Sequence, residues 1–333
     1  MGKSKRGSGP RPGSNRAERV AARKERQAAA LAPPPRPFAG LAAECDLVAL
    51  HTFVPSATAV LDLVEPGPPR PELTSVLPDD TAIAPPAPEG ARNEVVLATI
   101  LPGAVAGITR EISGATEALV ALQTDPDPDD LSGALAAAIA WAAHAGPGGE
   151  YRHGGETTPD GAARPALTDV LKADAELEIV VHGDFAWWFP PGNEVPPEIA
   201  AMLERANDTV LPTARMHVSS GNGAPWWVDA GERAHLRWVR PEPEDEVMTA
   251  LARLHAAGQL SLGEGSRFAG SFRTHGLLVP VFDLDNERHH EEWYDELDRF
   301  DGRLTEALAA TTELTLDERS SRDGIRGRQV TLR

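Results

Sequence analysis

The sequence predicts an α+β fold in which repeated strand–turn–helix units lie on mixed or antiparallel sheets. Apolar and polar side chains alternate at 176–181 and 236–240, as in strands with one buried and one solvated face. Proline within the apolar run 277–282 is typical of an edge strand or a β-bulge. Strands buried on both faces of a parallel sheet would instead be continuously apolar.

A strand, a proline-rich or acidic turn and an amphipathic helix follow one another four times along the chain. The expected strands are 117–124, 178–189, 235–240 and 277–284. The helices after them have apolar faces formed by Leu131, Leu135 and Ile139, by Ile199, Met202, Leu203 and Ala206, by Val247, Leu251 and Leu254, and by Trp293, Leu297, Phe300, Leu304 and Leu308. Proline and carboxylates suit a helix N-terminus, because the first turn lacks N–H acceptors and carries the positive end of the dipole.

An earlier helix is expected within 41–54, where Leu47, Leu50 and Val54 share one face and Pro55 ends the run. The turns 125–130 and 241–245 both contain the order proline, acid, proline, acid, acid. This similarity is consistent with an internal duplication that has a period of about 115 residues. Recurrent helix starts in a proline-rich chain would produce the same pattern, so both explanations remain open.

Composition divides the chain into four parts. A disordered basic head is expected at 1–37 and a first α+β subdomain at 38–145. A linker is expected at 146–165, where nine of twenty residues are Gly or Pro, followed by a second α+β subdomain at 166–333. Within the first subdomain, 66–92 contains eight prolines and is expected to form a long surface loop.

Charge is distributed very unevenly. The head carries ten basic and two acidic residues, a balance of +8, whereas the whole chain has a net charge of −18. The body therefore has a balance of −26 and repels nucleic acid and anionic lipid. Only the head is suited to binding phosphate backbones, so its expected partner is nucleic acid or the ribosome. The expected partner of the body is a protein or a peptide.

The composition indicates a soluble cytoplasmic protein. Of the 333 residues, 41% are apolar and 25% charged. No apolar segment follows the basic residues of the head, which argues against a secretory signal. The charge-free stretches 95–109 and 131–149 are too short or too weakly apolar for a membrane span. The single cysteine, Cys45, excludes an intrachain disulfide and any Cys-based structural zinc site.

The motifs that suggest chemistry are weak. The glycine-rich run 263–270 lacks the spacing of a nucleotide-binding loop, and a turn that enters a strand explains it. Ser271, His275 and Asp283 are the residue types of a hydrolytic triad, but no nucleophile elbow surrounds the serine. The run 289–292, His-His-Glu-Glu, lacks the spacing of a zinc site and suits a solvated helix start. No metal and no cofactor is therefore expected, and the catalytic residues remain unknown.

Tryptophan is concentrated in one region, since five of the seven tryptophans fall within 52 residues. The pairs 187–188 and 226–227 are expected to place one ring on each face of a strand. Two interpretations remain open: a sheet covered on both sides, or an aromatic recognition groove flanked by arginines, because Trp and Arg dominate binding hot spots. The groove would be formed by Trp188, Trp227, Arg237, Arg267 and Arg273.

Several segments together resemble a family. They are RPFAGL and ECDLVAL from Arg36 onward, VPSATA at 54–59, HLRWV at 235–239, LARLHAAG and LSLGEGSR at 251–267, and RQVTLR at 328–333. The chain resembles the actinobacterial domain-of-unknown-function family 5926 from about Arg36 to Arg333. Members often carry a cysteine-rich zinc knuckle like that of the translocation ATPase SecA, and Ala28 to Pro35 occupies its place here. The resemblance implies a compact cytoplasmic body and assigns no catalytic residue.

Two functional hypotheses follow. The first is a non-enzymatic binding or adaptor protein, with the head attached to nucleic acid or ribosome and the body bound to a protein or peptide. The second is an enzyme of unrecognised type with its site near 263–275.

Overall fold

The computed structural model describes residues 36–64, 92, 94–153, 166–189, 197–327 and 329–331. The described residues form six α-helices and two six-stranded sheets, which confirms the predicted α+β class. Residues 1–35 of the predicted head and 66–91 of the predicted proline-rich loop lie outside the described residues. Among the helices of the described part, none combines the length and the apolar composition that a membrane span requires.

The first sheet comes mainly from the N-terminal half of the body. It contains β1 (Ala57–Asp62), β2 (Glu94–Ile100), β3 (Gly107–Ile112), β4 (Ala115–Gln123), β5 (Glu150–Tyr151) and β6 (Ile179–Val181). Their order is β5-β3-β4-β2-β1-β6. Every neighbouring pair is antiparallel except β2 and β4, which are parallel, so the sheet is mixed as predicted. Two helices accompany it, α1 (Glu44–Thr52) and α2 (Leu131–Ala142).

The second sheet contains β7 (Thr213–Arg215), β8 (Ala224–Asp229), β9 (Ala234–Val239), β10 (Ser266–Thr274), β11 (Leu277–Leu284) and β12 (Gln329–Thr331). Their order is β12-β10-β11-β9-β8-β7, and the neighbours are antiparallel except β10 and β12. The remaining helices are α3 (Pro197–Asn207), α4 (Glu244–Ala256), α5 (Tyr294–Ala309) and α6 (Leu316–Arg326). The four helices predicted from apolar faces are therefore present.

The two sheets share a strand order. From one edge, the first reads β6-β1-β2-β4-β3-β5 and the second β7-β8-β9-β11-β10-β12. The inner hairpins run in different directions, however, because β4 is parallel to β2 whereas β11 is antiparallel to β9. Helix α4 precedes the hairpin of the second sheet, and only a short connection precedes that of the first. Internal duplication stays a prediction.

Helix α1 lies between the two sheets. It contacts β4 of the first sheet and β8 and β9 of the second. Its sequence is apolar on several sides, with Leu47, Val48 and Leu50 at 0–2% exposure, as expected for a helix covered on both sides. One set of buried side chains, here the first core, joins α1, α2 and the facing sides of both sheets; Trp226 and Val279 belong to it.

The two predicted subdomains are connected through this core. Strand β5 lies inside the predicted linker and pairs with β3, while β6 lies beyond the linker and pairs with β1 of the first sheet. Residues 36–333 form one compact unit. The division into two subdomains stays a prediction.

The other face of the second sheet carries the second core, which α4, α5 and α6 cover. Carboxylates occupy the first turn of α4, where they complement the helix dipole. Helix α6 was not predicted, because Ile325 is its only buried residue and no apolar stripe marks it. A capping box begins it: Thr315 accepts from the Glu318 N–H, and Glu318 accepts from the Thr315 N–H.

Two strand predictions need correction. The strand expected at 178–189 is only β6, and a 3₁₀ turn follows at Ala186–Trp188, because the Asp184 carboxylate accepts the Ala186 N–H at 2.9 Å and turns the chain. The edge alternative for Pro280 was also wrong, since β11 lies between β9 and β10. A bulge does occur close to Pro280, although on the partner strand. Pro280 pairs with Ser271 of β10, and the register of β10 shifts nearby, between Phe268 and Gly270.

Candidate functional site

The predicted binding arginines of β10 are held by carboxylates. Arg267 pairs with Asp283, and Arg273 pairs with Glu244. The Arg267 side chain is 70% exposed and that of Arg273 is 32% exposed. Since Arg267 and Arg273 are six positions apart along β10, the two guanidinium groups belong to different ends of the strand.

Trp227 and Arg237 lie on opposite faces of the second sheet. Trp227 packs into the second core and is 6% exposed. Arg237 lies over the ring of Phe53, which packs against the first core, with 5.3 Å between the guanidinium carbon and the ring centroid. The neighbouring Trp226 belongs to the first core, so the alternation predicted for this tryptophan pair is confirmed.

Trp188, the last of the five predicted binding residues, lies against the first sheet. Its indole N–H donates to the carbonyl of Ile100 at 3.0 Å, and its ring stacks on Phe185. The five residues therefore do not share one surface. A common role for them in binding stays a prediction.

The residue types of a hydrolytic triad do not come together. His275 lies in the turn between β10 and β11, whereas Asp283 lies toward the far end of β11, opposite Arg267. The Ser271 hydroxyl is buried, and no described residue forms a hydrogen bond with it. The glycine-rich run 263–270 forms a turn that enters β10, in agreement with its structural interpretation.

The adjacent His289 and His290 rings lie near Trp227 and are tilted by 40° to each other, with 4.1 Å between the two imidazole centroids. In the described ranges, no three or more His, Cys, Asp or Glu side chains are grouped so that they could hold a metal ion. The absence of a metal or cofactor stays an expectation.

A cavity of about 1200 Å³ lies where the edge strand β6 of the first sheet approaches the edge strand β7 of the second. The first residues of α1, strands β1, β6 and β7, and the loop 217–223 line it. Pockets for drug-sized ligands usually measure about 300–1,000 Å³. This cavity can therefore hold a small molecule or a short peptide segment.

The cavity floor contains a patch of valines on the outward face of the first sheet. Val60 and Val180 are 54% and 57% exposed, and Val96 lies beside Val60 in the β1–β2 register. On this face Trp187 of the 3₁₀ turn packs against the buried side chains of the sheet, whereas α1 and α2 cover the opposite face. Neighbouring exposed apolar side chains in a concave site are typical of a binding surface.

Trp187 and His182 form the polar and aromatic wall of the cavity. Their rings stack at 5.3 Å, and the Trp187 indole N–H donates to the Ser56 hydroxyl at 2.9 Å. The imidazole Nε2 of His182 lies 2.8 Å from the Thr58 hydroxyl. Burial lowers the pKa of His182, while the charge of Asp184 opposes this shift. The imidazole is therefore neutral at neutral pH.

Hydrogen bonds from an arginine hold this wall in place. Arg110 donates to the backbone carbonyls of Trp187 and Trp188 at 3.0 and 2.7 Å, and it pairs with Glu117 of the cavity lining at 2.5 Å. These contacts tie the 3₁₀ turn to β3 and β4. They make the wall a preformed surface.

A second ion pair closes the α1 side of the cavity. Arg215 of β7 binds both carboxylate oxygens of Asp46 in α1, at 2.6 and 3.2 Å. Burial raises the pKa of the neighbouring Cys45 thiol to about 12, and the charges of Glu44 and Asp46 add to the effect. Cys45 is therefore expected to be an unreactive thiol.

The arrangement is suited to recognition. A neutral imidazole beside a hydroxyl, as in His182 and Thr58, can activate a nucleophile when a third group orients the ring. Among the described residues, no carboxylate is hydrogen-bonded to the His182 ring. Ligand sites combine apolar surface with fixed polar groups, and this lining has both: the valine floor and the carboxylates of Glu117, Glu176 and Glu178.

Sequence reasoning missed this site because its residues come from separate elements. One signal was present: Val180 occupies a polar position in the alternating run 176–181. Because Val180 alternates with the inward-facing positions of this run, it is expected on the solvent-facing side of the strand. The structure shows it 57% exposed.

The comparisons with known proteins give a family. The match is to a family described as a family of unknown function (DUF5926), and it covers residues 37–87 and 74–333. No curated protein matches the chain. No solved structure matches it either. Because the match extends over nearly all of the body, the chain belongs to the DUF5926 family of unknown function.

Proposed function

We propose that this protein is a cytoplasmic, non-enzymatic binding protein whose ligand occupies the cavity between β6 and β7. The observation that carries the proposal is the exposed valine patch beneath a wall that Arg110 holds in place. Val60 and Val180 are more than half exposed inside a concave site. A ligand that covers them gains hydrophobic free energy without a rearrangement of the wall.

A matched pair of substitutions tests the site. Val180→Asp places a charge on the cavity floor, whereas Val64→Asp places the same charge on a 37% exposed valine that does not line the cavity. The probes are a display library of random ten-residue peptides and a library of drug-sized compounds. A binder should raise the melting temperature of the wild type and of Val64→Asp but not of Val180→Asp. Binders that are all indifferent to Val180→Asp would overturn the proposal.

In the adaptor form of this proposal, the basic head attaches the body to nucleic acid or the ribosome. The net charge of +8 on the head supports this role, because basic side chains neutralise phosphate groups. Such binding weakens strongly as the salt concentration rises. Deletion of residues 2–37 should abolish RNA or ribosome association in a salt series. Equal retention of the truncated chain would remove the head from the function.

The enzyme alternative has one observation in its favour. A second cavity of about 520 Å³ lies beside Arg267 and Asp283, within the region 263–275 and its partner strand. A compound that stabilises Val180→Asp as well as the wild type, but not Arg267→Ala, would support this alternative.

A further inference from the structure

The arginines at the cavity between β6 and β7 are already bound by carboxylates. Arg215 is the one lysine or arginine among the described residues of the lining, and both carboxylate oxygens of Asp46 accept from its guanidinium. Arg110, which holds the 3₁₀ turn, is paired with Glu117 of the lining. A ligand anion would therefore meet no uncompensated arginine or lysine among these lining residues.

Two carboxylates of the lining have no such partner. Glu176 and Glu178 are exposed, and neither forms an ion pair with any described residue. The lysine closest to them in the sequence, Lys172, is bound by Asp62 at 2.6 Å. The lining therefore carries uncompensated negative charge, which attracts a cation.

Charged, apolar and aromatic groups follow one another along the outward face of β6. Glu178, Val180 and His182 share this face, because successive strand residues alternate between faces. Val60 of the neighbouring strand β1 widens the apolar part, and Trp187 stacks on His182. From Glu178 to His182 the strand extends about 13 Å, at about 3.3 Å per residue. The face is thus acidic at one end, apolar in the middle and aromatic at the other end.

The facing strand limits how a ligand can lie in the cavity. Strands β6 and β7 have Cα atoms within 8 Å of each other. A peptide strand inserted between them would need about twice the strand spacing of about 4.8 Å. The ligand must therefore lie on the outward face of β6, over the valines, which favours a compact small molecule over an added strand.

We propose that the cavity binds a small-molecule amine, with one protonated amino group on an elongated apolar body. This inference rests on the proposed function and names its ligand class. The ammonium group binds at Glu176 and Glu178, and the apolar body covers Val60 and Val180 in the direction of Trp187. Charge-assisted hydrogen bonds select the cation, and burial of the valines supplies hydrophobic free energy.

The test uses three probes with the same six-carbon chain and different end groups: hexylamine, hexanol and hexanoate. Titration calorimetry on the full chain at constant ionic strength measures their affinities. Hexylamine should bind at least about fivefold more tightly than hexanol, because its ammonium group gains a charge-assisted contact. Hexanoate should bind more weakly than hexanol, because the glutamates repel it. Equal affinities of the three probes would overturn the inference.

The length of the apolar body gives a second measurement. Butylamine, hexylamine and octylamine carry the same charge, so they differ only in the apolar surface that they can place on the valines. The affinity should rise about threefold to fourfold for each added methylene group. An affinity that does not depend on chain length would mean that the valine floor is not covered, and the inference would be wrong.

The charge is tested by a matched pair of double variants. Glu176→Gln with Glu178→Gln should remove the preference for hexylamine over hexanol and leave the affinity for hexanol unchanged. Glu306→Gln with Glu313→Gln, at exposed carboxylates outside the lining, should keep the preference. Equal losses in the two double variants would show that the general charge of the acidic body attracts the amine, which contradicts a site at the two lining glutamates.

The apolar floor is tested without adding a charge, because an aspartate would itself attract the ammonium group. Val60→Thr with Val180→Thr should weaken hexylamine by about fivefold to tenfold, since two buried methyl groups become hydroxyls. Val64→Thr, at an exposed valine outside the lining, should leave the affinity unchanged. An unchanged affinity in the double variant would place the amine elsewhere on the chain.

Failure of this inference differs from failure of the proposed function. If peptides or uncharged compounds bind in a Val180→Asp-sensitive manner while the amines do not bind, the inference is wrong and the proposed function stands. Binding of lysine-containing peptides without binding of small-molecule amines would assign the site to a protein partner and would also overturn the inference.

Discussion

The imidazole Nε2 of His275 lies 2.9 Å from Nδ1 of His51, and the two rings meet edge to face. The contact joins the turn between β10 and β11 to the end of α1. On its other side, His51 Nε2 lies 3.4 Å from the carboxylate of Asp127. Burial, together with the charge of His51, lowers the pKa of His275 to about 4, although Asp127 opposes the shift.

This contact predicts a pH dependence of stability. The pKa of His275 is lower in the folded protein than its ordinary value of 6.5, so protonation favours the unfolded chain. Its contribution is complete above about pH 6.5 and is lost as the pH falls toward 4. Because the ring is only partly buried, we expect a loss of about 1 kcal/mol.

Denaturant unfolding between pH 7 and pH 4.5 measures this effect. His275→Asn keeps a residue that tolerates the positive φ of 47° and removes the titrating ring, so it should flatten the profile. A variant whose profile stays parallel to that of the wild type would show that other groups cause the pH dependence.

The Arg215–Asp46 pair should be a large contributor to stability. Both side chains are mostly buried, at 15% and 18% exposure, and the guanidinium also reaches the carbonyls of Pro225 and Gly223. Arg215→Met leaves the Asp46 carboxylate without its partner, so we expect a loss of about 3 kcal/mol in the free energy of unfolding. Arg299→Met, at a 62% exposed surface pair, should change it by less than about 0.5 kcal/mol. Similar losses in the two variants would contradict this account.

The Cys45 thiol should not react in the folded protein. Its pKa of about 12 leaves almost no thiolate at pH 8, and the residue is buried. An aromatic disulfide reagent should therefore label no thiol in native protein and one thiol per chain in denaturant. Labelling of the native protein at the rate of the denatured protein would show that α1 opens.

The two arginines of β10 should differ when truncated. Arg267→Ala removes a 70% exposed partner of Asp283, so we expect a change within about 0.5 kcal/mol. Arg273→Ala should cost about 1–2 kcal/mol, because burial opposes ionisation of Glu244 while hydrogen bonds from Arg273 and Gln329 lower its pKa overall. Thermal and denaturant unfolding measure the difference. If Arg273→Ala changes the free energy of unfolding as little as is expected for Arg267→Ala, the Arg273–Glu244 pair does not stabilise the fold.

Local patterns were sufficient for much of the fold. The apolar faces of α2, α4 and α5 and the acidic turns before α2 and α4 are properties of neighbouring residues, so the sequence carries them directly. The alternating Trp226–Trp227 pair was predictable for the same reason, since adjacent strand residues point to opposite faces. Helix α6 was not, because its start is a capping box without an apolar stripe after it.

By itself, the sequence determined the α+β class, the acidic body and the helix starts, because these depend on composition and on residues close together in the chain. Only the tertiary structure decided the binding surface. It separated Trp188, Trp227 and the three arginines, and it brought Val180 and His182 of β6 to Val60 and Thr58 of β1, more than one hundred residues earlier. Such proximity depends on strand register and on which face is left uncovered, and both are set by long-range packing.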